Sequence, residues 1–225
     1  TIEIVMEDKP TNLLVEKLTE AMVASPSEAE HQLSGFKLQI LNADKSPAIA
    51  ARTTEDFKAG EELIFTTGNQ FKQLIGQLIA GQSYWLHEIS PRNGYAYAED
   101  VMFTVSLDGR EDIVLMVDKP TQVIVSKKAI TGDNELPGNY MSIRNMAGAV
   151  IEEWISAEDP HIITAKLVAG ETYLLCEERP LEGYAYASAV EFTVSLDGTI
   201  DRIEMKNEMT KVRIIKMNSS GNHLK

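Results

Sequence analysis

A lysine, a glutamate and an aspartate or asparagine occur together twice in this chain, at positions where alternation predicts the inward face of β-strands. The two sets are Lys17, Glu88 and Asp118, and Lys127, Glu177 and Asn207. Burying a charged side chain is costly unless the charge is neutralised or paired. Burial also lowers the pKa of an amine and raises that of a carboxylic acid, so a neutral, nucleophilic amine can lie beside a proton-donating acid. Each set is therefore a candidate site for acid-assisted chemistry at a lysine amine.

Strand periodicity places these residues on apolar faces. Alternate residues of a strand share a face. In the first copy the shared faces are Leu13, Val15 and Lys17; Tyr84, Leu86 and Glu88; and Val114, Met116 and Asp118. In the second copy they are Val123, Val125 and Lys127; Tyr173, Leu175 and Glu177; and Ile203, Met205 and Asn207. The same register predicts that Lys128 faces solvent.

The glutamates lie in a block that the chain contains twice. Tyr84-Trp-Leu-His-Glu-Ile-Ser-Pro-Arg-Asn-Gly-Tyr95 returns as Tyr173-Leu-Leu-Cys-Glu-Glu-Arg-Pro-Leu-Glu-Gly-Tyr184, a shift of 89 positions (177 − 88). Lys9-Pro-Thr11 returns as Lys119-Pro-Thr121 at a shift of 110 (119 − 9). The first copy therefore carries extra residues, in segments of about 19–32 and 53–80. We expect a longer loop or short helix in the former, while Phe71–Ile79 in the latter fits either helical turns or a strand.

Each copy is predicted to be a β-sandwich, because about seven short strands recur at roughly ten-residue spacing. Residues 9–119 and 120–208 form the two predicted repeats. Residues 1–8 resemble the last strand of a preceding repeat, and residues 209–225 the first strand of a following one, with Lys216 in the place of Lys127. We therefore expect neighbouring repeats of a longer chain as partners.

Composition excludes several classes of protein. The 225 residues are 44% hydrophobic and carry a net charge of −13, which argues against nucleic-acid binding because no basic stripe could neutralise phosphates. No apolar run in this segment approaches the roughly 20 residues that span a bilayer. Cys176 is the single cysteine, so there is no disulfide framework.

The motifs resemble a known family. Tyr-x-Leu-x-Glu followed by Pro and Gly-Tyr, with Val123-Ile-Val-Ser-Lys127 before it and Met205-Lys-Asn-Glu208 after it, is similar to the B-type repeats of Gram-positive collagen adhesins and pilins. Gly94-Tyr-Ala-Tyr-Ala-Glu-Asp-Val-Met-Phe-Thr-Val105 resembles tandem repeats of cell-wall-anchored proteins of that superfamily. The resemblance implies an all-β chain of two tandem immunoglobulin-like or prealbumin-like β-sandwich domains.

The resemblance also implies a chemistry and a role. In that family a lysine of the first strand forms a spontaneous isopeptide bond with an aspartate or asparagine of the last, assisted by a glutamate between them. Carried over by position, Lys17 joins Asp118 with Glu88 assisting, and Lys127 joins Asn207 with Glu177 assisting. The implied function is a structural stalk module on the cell wall of a Gram-positive bacterium, without metal or cofactor.

The two alternative functions are an adhesive module and an enzyme. An adhesive module would bind a host matrix protein or glycan through the insertion region of the first repeat, around Phe57 to Phe71, with Trp85 nearby. An enzyme acting on another molecule finds little support. The histidines at positions 31, 87, 161 and 223 have no metal-ligand spacing, and no phosphate loop or nucleophile motif is present. Self-crosslinking is a single turnover, so we do not expect an enzyme.

Overall fold

The computed structural model describes residues 8–25, 32–217 and 219, so the strand predicted for residues 1–8 lies outside the described residues apart from Asp8. The chain divides into two compact units. The first holds residues up to Gln122 together with 164–170 and 195–200, and the second holds the others. The secondary structure is almost entirely β.

The first repeat contains seven strands and a five-residue helix within the described residues. They are β1 Asn12–Thr19, α1 Glu20–Ala24, β2 Lys37–Asn42, β3 Ile64–Thr66, β4 Lys72–Ile75, β5 Ser83–Ser90, β6 Val101–Thr104 and β7 Glu111–Asp118. Two sheets form, a three-stranded one in the order β4-β1-β7 and a four-stranded one in the order β3-β2-β5-β6. The predicted sandwich is confirmed.

The second repeat has the same architecture. Its strands are β8 Gln122–Ala129, β9 Tyr140–Asn145, β10 Val150–Ile155, β11 His161–Thr164, β12 Thr172–Arg179, β13 Val190–Thr193 and β14 Asp201–Asn207. The sheet orders are β11-β8-β14 and β10-β9-β12-β13, so every strand corresponds to the strand seven places earlier. The repeat found in the sequence is therefore a repeat of topology.

The first and last strands of each repeat lie side by side. β1 pairs with β7 in parallel, with Lys17 opposite Met116 and Thr19 opposite Asp118. β8 pairs with β14 in the same way, with Lys127 opposite Met205. Lysine and acid or amide are thus diagonal neighbours on one face, within reach of a long side chain.

The two segments in which we predicted extra residues contain both kinds of secondary structure. The second, 53–80, includes β3 and β4, which correspond to β10 and β11, so it is not an insertion throughout. Glu20–Ala24 forms α1, with the Thr19 hydroxyl accepting a hydrogen bond from the Met22 amide at 3.2 Å as an N-cap. The ambiguous stretch Phe71–Ile79 contains strand β4, which pairs antiparallel with β1. Pairing with a neighbouring strand therefore decided a pattern that local spacing left open.

The Asp-Gly turn before β7 requires its glycine. Gly109 has a φ of +65°, a conformation that L side chains rarely adopt. A Cβ atom at this position would lie 2.6 Å from the Cβ atom of Lys9. Gly198 repeats the conformation before β14 with a φ of +75°. The glycine at the end of the duplicated Ser-Leu-Asp-Gly sequence is therefore a steric requirement of the turn.

Substitution of a buried residue on β5 should destabilise the first repeat more than substitution of an exposed residue on β6. Leu86 is fully buried, whereas Met102 on the neighbouring strand is 53% exposed. We expect Leu86→Ala to lower the free energy of unfolding of the first repeat by about 2–5 kcal/mol. Met102→Ala should change it by less than about 0.5 kcal/mol. Urea denaturation followed by fluorescence of Trp85, which lies in the same sheet, measures both, and equal effects would contradict this packing.

Candidate functional site

All six predicted residues are buried, in two separate clusters. Exposed fractions are 0% for Lys17, 2% for Glu88, 0% for Asp118, 2% for Lys127, 8% for Glu177 and 1% for Asn207. Fully buried lysine and glutamate are rare unless paired. The structure thus brings together each set that alternation predicted.

In the first cluster the amine of Lys17 lies between two carboxyl groups. Lys17 Nζ is 2.5 Å from Asp118 Oδ1 and 2.9 Å from Glu88 Oε1. The second oxygen of Glu88 accepts a hydrogen bond from the Ala98 amide at 2.8 Å. The Phe36 ring covers the amine, with its centroid 5.2 Å from Nζ. The hydrogen bond from the Ala98 amide to Oε2 therefore orients the glutamate so that Oε1 points at the Lys17 amine.

The second cluster repeats this arrangement with an amide in place of the acid. Lys127 Nζ donates to Asn207 Oδ1 and lies 2.9 Å from Glu177 Oε1. Asn207 Nδ2 donates to Glu177 Oε1 at 2.8 Å and to the Ala185 carbonyl at 2.9 Å. The Ala187 amide donates to Glu177 Oε2 at 2.8 Å. Every polar atom of the asparagine side chain is therefore satisfied by a fixed partner.

The two clusters differ in one proton. Asp118 Oδ2 is buried and accepts no hydrogen bond from any described residue, whereas Glu88 Oε1 contacts the Lys17 amine at 2.9 Å. In the second cluster Asn207 Nδ2 supplies the corresponding donor hydrogens. A proton on Asp118 would play the same part. Burial, with a smaller contribution from the neighbouring Glu88, raises the pKa of Asp118 to about 6 against the opposing effect of Lys17.

Burial also acts on the lysine of the second cluster. It lowers the pKa of Lys127, although the hydrogen bond and charge of Glu177 oppose the shift. A proton leaving Lys127 can pass to Glu177 without exchange with solvent. The lowered pKa increases the neutral fraction of the Lys127 amine, which contacts the side-chain amide group of Asn207.

Lys128 confirms the register of β8. Its amine forms an ion pair with Glu204 at 2.8 Å, and its side chain is 21% exposed. This ion pair is on the opposite face of the sheet from Lys127. The neighbouring lysine therefore does not compete for the buried site.

Sequence reasoning missed the main-chain groups that complete each cluster. The amides of Ala98 and Ala187 hold the two glutamates, and the Ala185 carbonyl holds the amide group of Asn207. The signal was present, because Gly94-Tyr-Ala-Tyr-Ala98 recurs as Gly183-Tyr-Ala-Tyr-Ala187. In the sequence this repeat indicates only a resemblance to a family, whereas in the structure it supplies backbone donors and an acceptor to the site.

The remaining candidate residues lie elsewhere. His87 pairs with Asp100 at 2.7 Å on the outer face of its sheet. His161 begins β11 and stacks on Trp154, with ring centroids 4.2 Å apart. His31 and His223 lie outside the described residues. Within the described part of the chain, no three His, Cys, Asp or Glu side chains are grouped to hold a metal ion.

Cys176 is a poor candidate for a reactive thiol. It is partly buried on β12, and burial together with the nearby charge of Glu178 raises its pKa. A raised pKa leaves less thiolate, which is the reactive form. The thiol therefore behaves as an ordinary strand residue.

Comparison with known proteins identifies the class of the second repeat. Residues 121–209 match the family described as SpaA, a prealbumin-like fold domain. The second repeat is therefore similar to this family, in line with the resemblance seen in the sequence, and the first repeat has the same strand order as the second. No curated protein matches the chain.

Several solved structures match the chain at low sequence identity. The Bacillus anthracis TIE protein is 17% identical over 96% of this chain and 41% of its own, with a TM-score of 0.43. A streptococcal ancillary pilin is 16% identical over 91% of this chain and 64% of its own, with a TM-score of 0.44. The shaft pilin spaA from Lactobacillus rhamnosus GG is 14% identical over 92% of this chain and 100% of its own, with a TM-score of 0.37. The chain spans less than two thirds of the first two proteins, and the family assignment rests on residues 121–209 alone.

The one-proton difference between the clusters predicts different pH profiles for amide formation. Asp118 must be protonated to lose water, and above its pKa of about 6 the protonated fraction falls with rising pH, by about tenfold per pH unit. Both sites also need a neutral lysine amine, so the effect of the Asp118 proton is seen in the comparison between the sites. We expect the rate of bond formation at Asp118, divided by the rate at Asn207, to fall about tenfold from pH 7 to pH 8. Refolding the unreacted chain from denaturant, with mass spectrometry resolving water from ammonia loss, measures both rates.

The control for this prediction exchanges the electrophile. Asn207→Asp should remove the difference between the pH profiles of the two sites, because the second site then needs the same extra proton. Parallel profiles at the two native sites would contradict the assignment.

Proposed function

We propose that this chain is a structural stalk module of a bacterial surface adhesin or pilin, cross-linked by Lys17–Asp118 and Lys127–Asn207 isopeptide bonds. The observation that carries the proposal is the twofold occurrence of a buried lysine amine in contact with both an amide-forming partner and a glutamate. A buried cluster at one place could be a structural ion pair. Two clusters at matching positions of two repeats support a shared chemistry.

The reaction needs nothing beyond the residues present. The neutral amine of Lys127 attacks the side-chain carbonyl carbon of Asn207, forming a C–N bond. Glu177 donates a proton to the carbonyl oxygen, takes one from the attacking Lys127 nitrogen and passes it to the leaving nitrogen. The original C–N bond of Asn207 then breaks, ammonia departs, and the oxygen returns its proton to Glu177 as the new amide carbonyl forms. At the first site the protonated carboxyl group of Asp118 loses its hydroxyl group as water, with Glu88 in the same role. Packing supplies the effective concentration that makes the uncatalysed step feasible.

The positions of the bonds suit a load-bearing module. Each bond would join the first and last strands of a repeat, which are parallel neighbours. Force entering through β1 would cross from Lys17 to Asp118 and leave, bypassing the residues between them. The closed ring has a sequence separation of 101 residues. In the chain-entropy model for cross-links, such a ring stabilises the fold by roughly 4–5 kcal/mol.

The intact mass tests the proposal directly. We expect the purified chain to lack one water and one ammonia. Glu88→Ala should restore the water alone and Glu177→Ala the ammonia alone, because each glutamate serves only its own repeat. Glu178→Ala is the matched control, since Glu178 is the next residue but binds Arg144 and Ser142 on the opposite face. If the native chain has the full mass calculated from its sequence, without loss of water or ammonia, the isopeptide mechanism is refuted.

Single-molecule pulling tests the mechanical role. With both bonds formed, neither repeat should extend at forces that unfold ordinary domains, because the segments between the tie points carry no load. The Glu88→Ala, Glu177→Ala double variant should release about 300 Å of chain from the first repeat. Equal extension of native and double-variant chains would show that the bonds are absent or lie outside the load path.

Residues after the second repeat support the proposal of an array. The Ala185 amide donates to the Glu208 carbonyl at 2.9 Å and the Thr210 amide to the Gly183 carbonyl at 2.8 Å. The corresponding pairs around residues 119–121 are Ala96 with Lys119, and Thr121 with Gly94. Residues 209–217 form no strand in the described structure, and Val212 and Ile214 are 85% and 89% exposed. We propose that this segment is the opening strand of a following repeat, whose core would cover these side chains.

The proposed setting is the cell surface of a Gram-positive bacterium, with neighbouring repeats as partners. The similarity of the second repeat to the prealbumin-like family supports it. None of the described helices has the length and apolar character to cross a membrane.

The adhesive alternative gains no support from the insertion region. Phe57 is 6% exposed and Phe65 7%, and the two rings pack edge to face with centroids 6.5 Å apart. The Trp85 ring is covered by Lys45, whose amine lies 3.6 Å from the ring centroid. These aromatic side chains therefore serve packing within the repeat, and the stalk remains the proposed function.

A further inference from the structure

The main chain of each candidate lysine is held by a two-residue segment outside the strands. Lys17 donates its backbone N–H to Gln32 Oε1 at 3.1 Å, and its carbonyl accepts from the Leu33 amide at 2.7 Å. Lys127 donates its backbone N–H to Glu135 Oε2 at 2.8 Å. Its carbonyl accepts from the Leu136 amide at 2.6 Å. We call these segments, Gln32-Leu33 and Glu135-Leu136, the backbone clamps.

The clamp of the first repeat occupies a place where strand pairing has ended. Edge strand β4 pairs with β1 only from Asn12 to Val15, so Lys17 lies beyond it. A buried backbone N–H without a partner is costly. The Gln32 side chain, itself 4% exposed, supplies the missing acceptor, and its Nε2 donates to the Gln70 carbonyl just before β4. The clamp thus continues the sheet edge past the lysine.

We propose that Gln32 and Glu135 are positioning residues for the cross-linking reaction, an inference that rests on the proposed function. A lysine side chain has four rotatable bonds, so the location of Nζ depends on how firmly the Cα atom is held. Misplacing a reacting atom by about 1 Å can slow a reaction about 10²-fold. The clamps fix both polar groups of the lysine backbone, whereas Glu88 and Glu177 act on the amine itself.

The difference between the repeats defines what the clamp requires. One repeat uses a neutral amide and the other a carboxylate, yet both place a side-chain oxygen on the lysine N–H. The shared property is an acceptor oxygen at that reach, and charge is dispensable. Glu135→Gln should therefore preserve the function, while Glu135→Leu should remove it.

The experiment follows bond formation in the whole chain. Unreacted protein is refolded from denaturant, and samples over time are digested so that each cross-linked peptide is quantified by mass spectrometry. We expect Glu135→Leu to form the Lys127–Asn207 bond roughly 10- to 100-fold more slowly than the native chain, and Glu135→Gln to stay within about twofold. The Lys17–Asp118 bond in the same molecules is the internal control and should form at the native rate.

Folding is checked separately, in a Glu177→Ala background that cannot react, by circular dichroism under the refolding conditions. If Glu135→Leu does not fold, Glu135→Asp takes its place. Its carboxylate is one methylene short of the lysine N–H, and we expect a similar slowing. Rescue by Gln distinguishes positioning from a requirement for charge.

The outcomes separate the two proposals. Equal rates for native and Glu135→Leu chains would overturn the clamp while leaving the isopeptide mechanism intact. Slowing by both Leu and Gln would overturn the clamp as an acceptor. If neither bond is present in the native chain, the proposed function is overturned and the clamp with it.

Discussion

A lysine amine enclosed in an apolar sandwich is the constraint on which the rest of each repeat depends. Removing such an ion from water costs several kcal/mol, and the cost falls only if other polar groups meet it with good geometry. In the first repeat Lys17 is met by Asp118 from the adjacent strand and Glu88 from the facing sheet. The parallel pairing of β1 with β7 and the inward turn of a glutamate both follow from that need.

The two partners reach the lysine from different sheets. Lysine and its aspartate or asparagine lie on neighbouring strands of the three-stranded sheet, whereas the glutamate lies in the four-stranded one. The lysine and its electrophile can meet as soon as the first and last strands pair. The acid joins them only when the sheets pack face to face. The complete site is therefore a product of the closed sandwich, and the reaction we propose would follow folding.

Alternation along the strands predicted the six buried residues, because period-two patterning fixes the face of a strand without reference to its neighbours. The same rule placed Lys128 on the outside, as its ion pair with Glu204 confirms. Local spacing left Phe71–Ile79 open between helical turns and a strand, and pairing of β4 with β1 decided the structure. The backbone clamps were also out of reach. Gln32 and Glu135 are separated by 103 positions (135 − 32), a shift that matches neither of the two repeat shifts, and they differ in residue type.

A buried charge cluster is a doubtful source of stability, since well-packed apolar residues often do as well or better. The proposed reaction changes this balance. When Lys17 and Asp118 become an amide, one positive and one negative group leave the core, and Glu88 is left beside a neutral hydrogen-bonding group. The unreacted repeat thus bears the cost of the cluster only until the bond forms. Selection for the cross-linked state would then preserve three residues that selection for a stable unreacted core would remove.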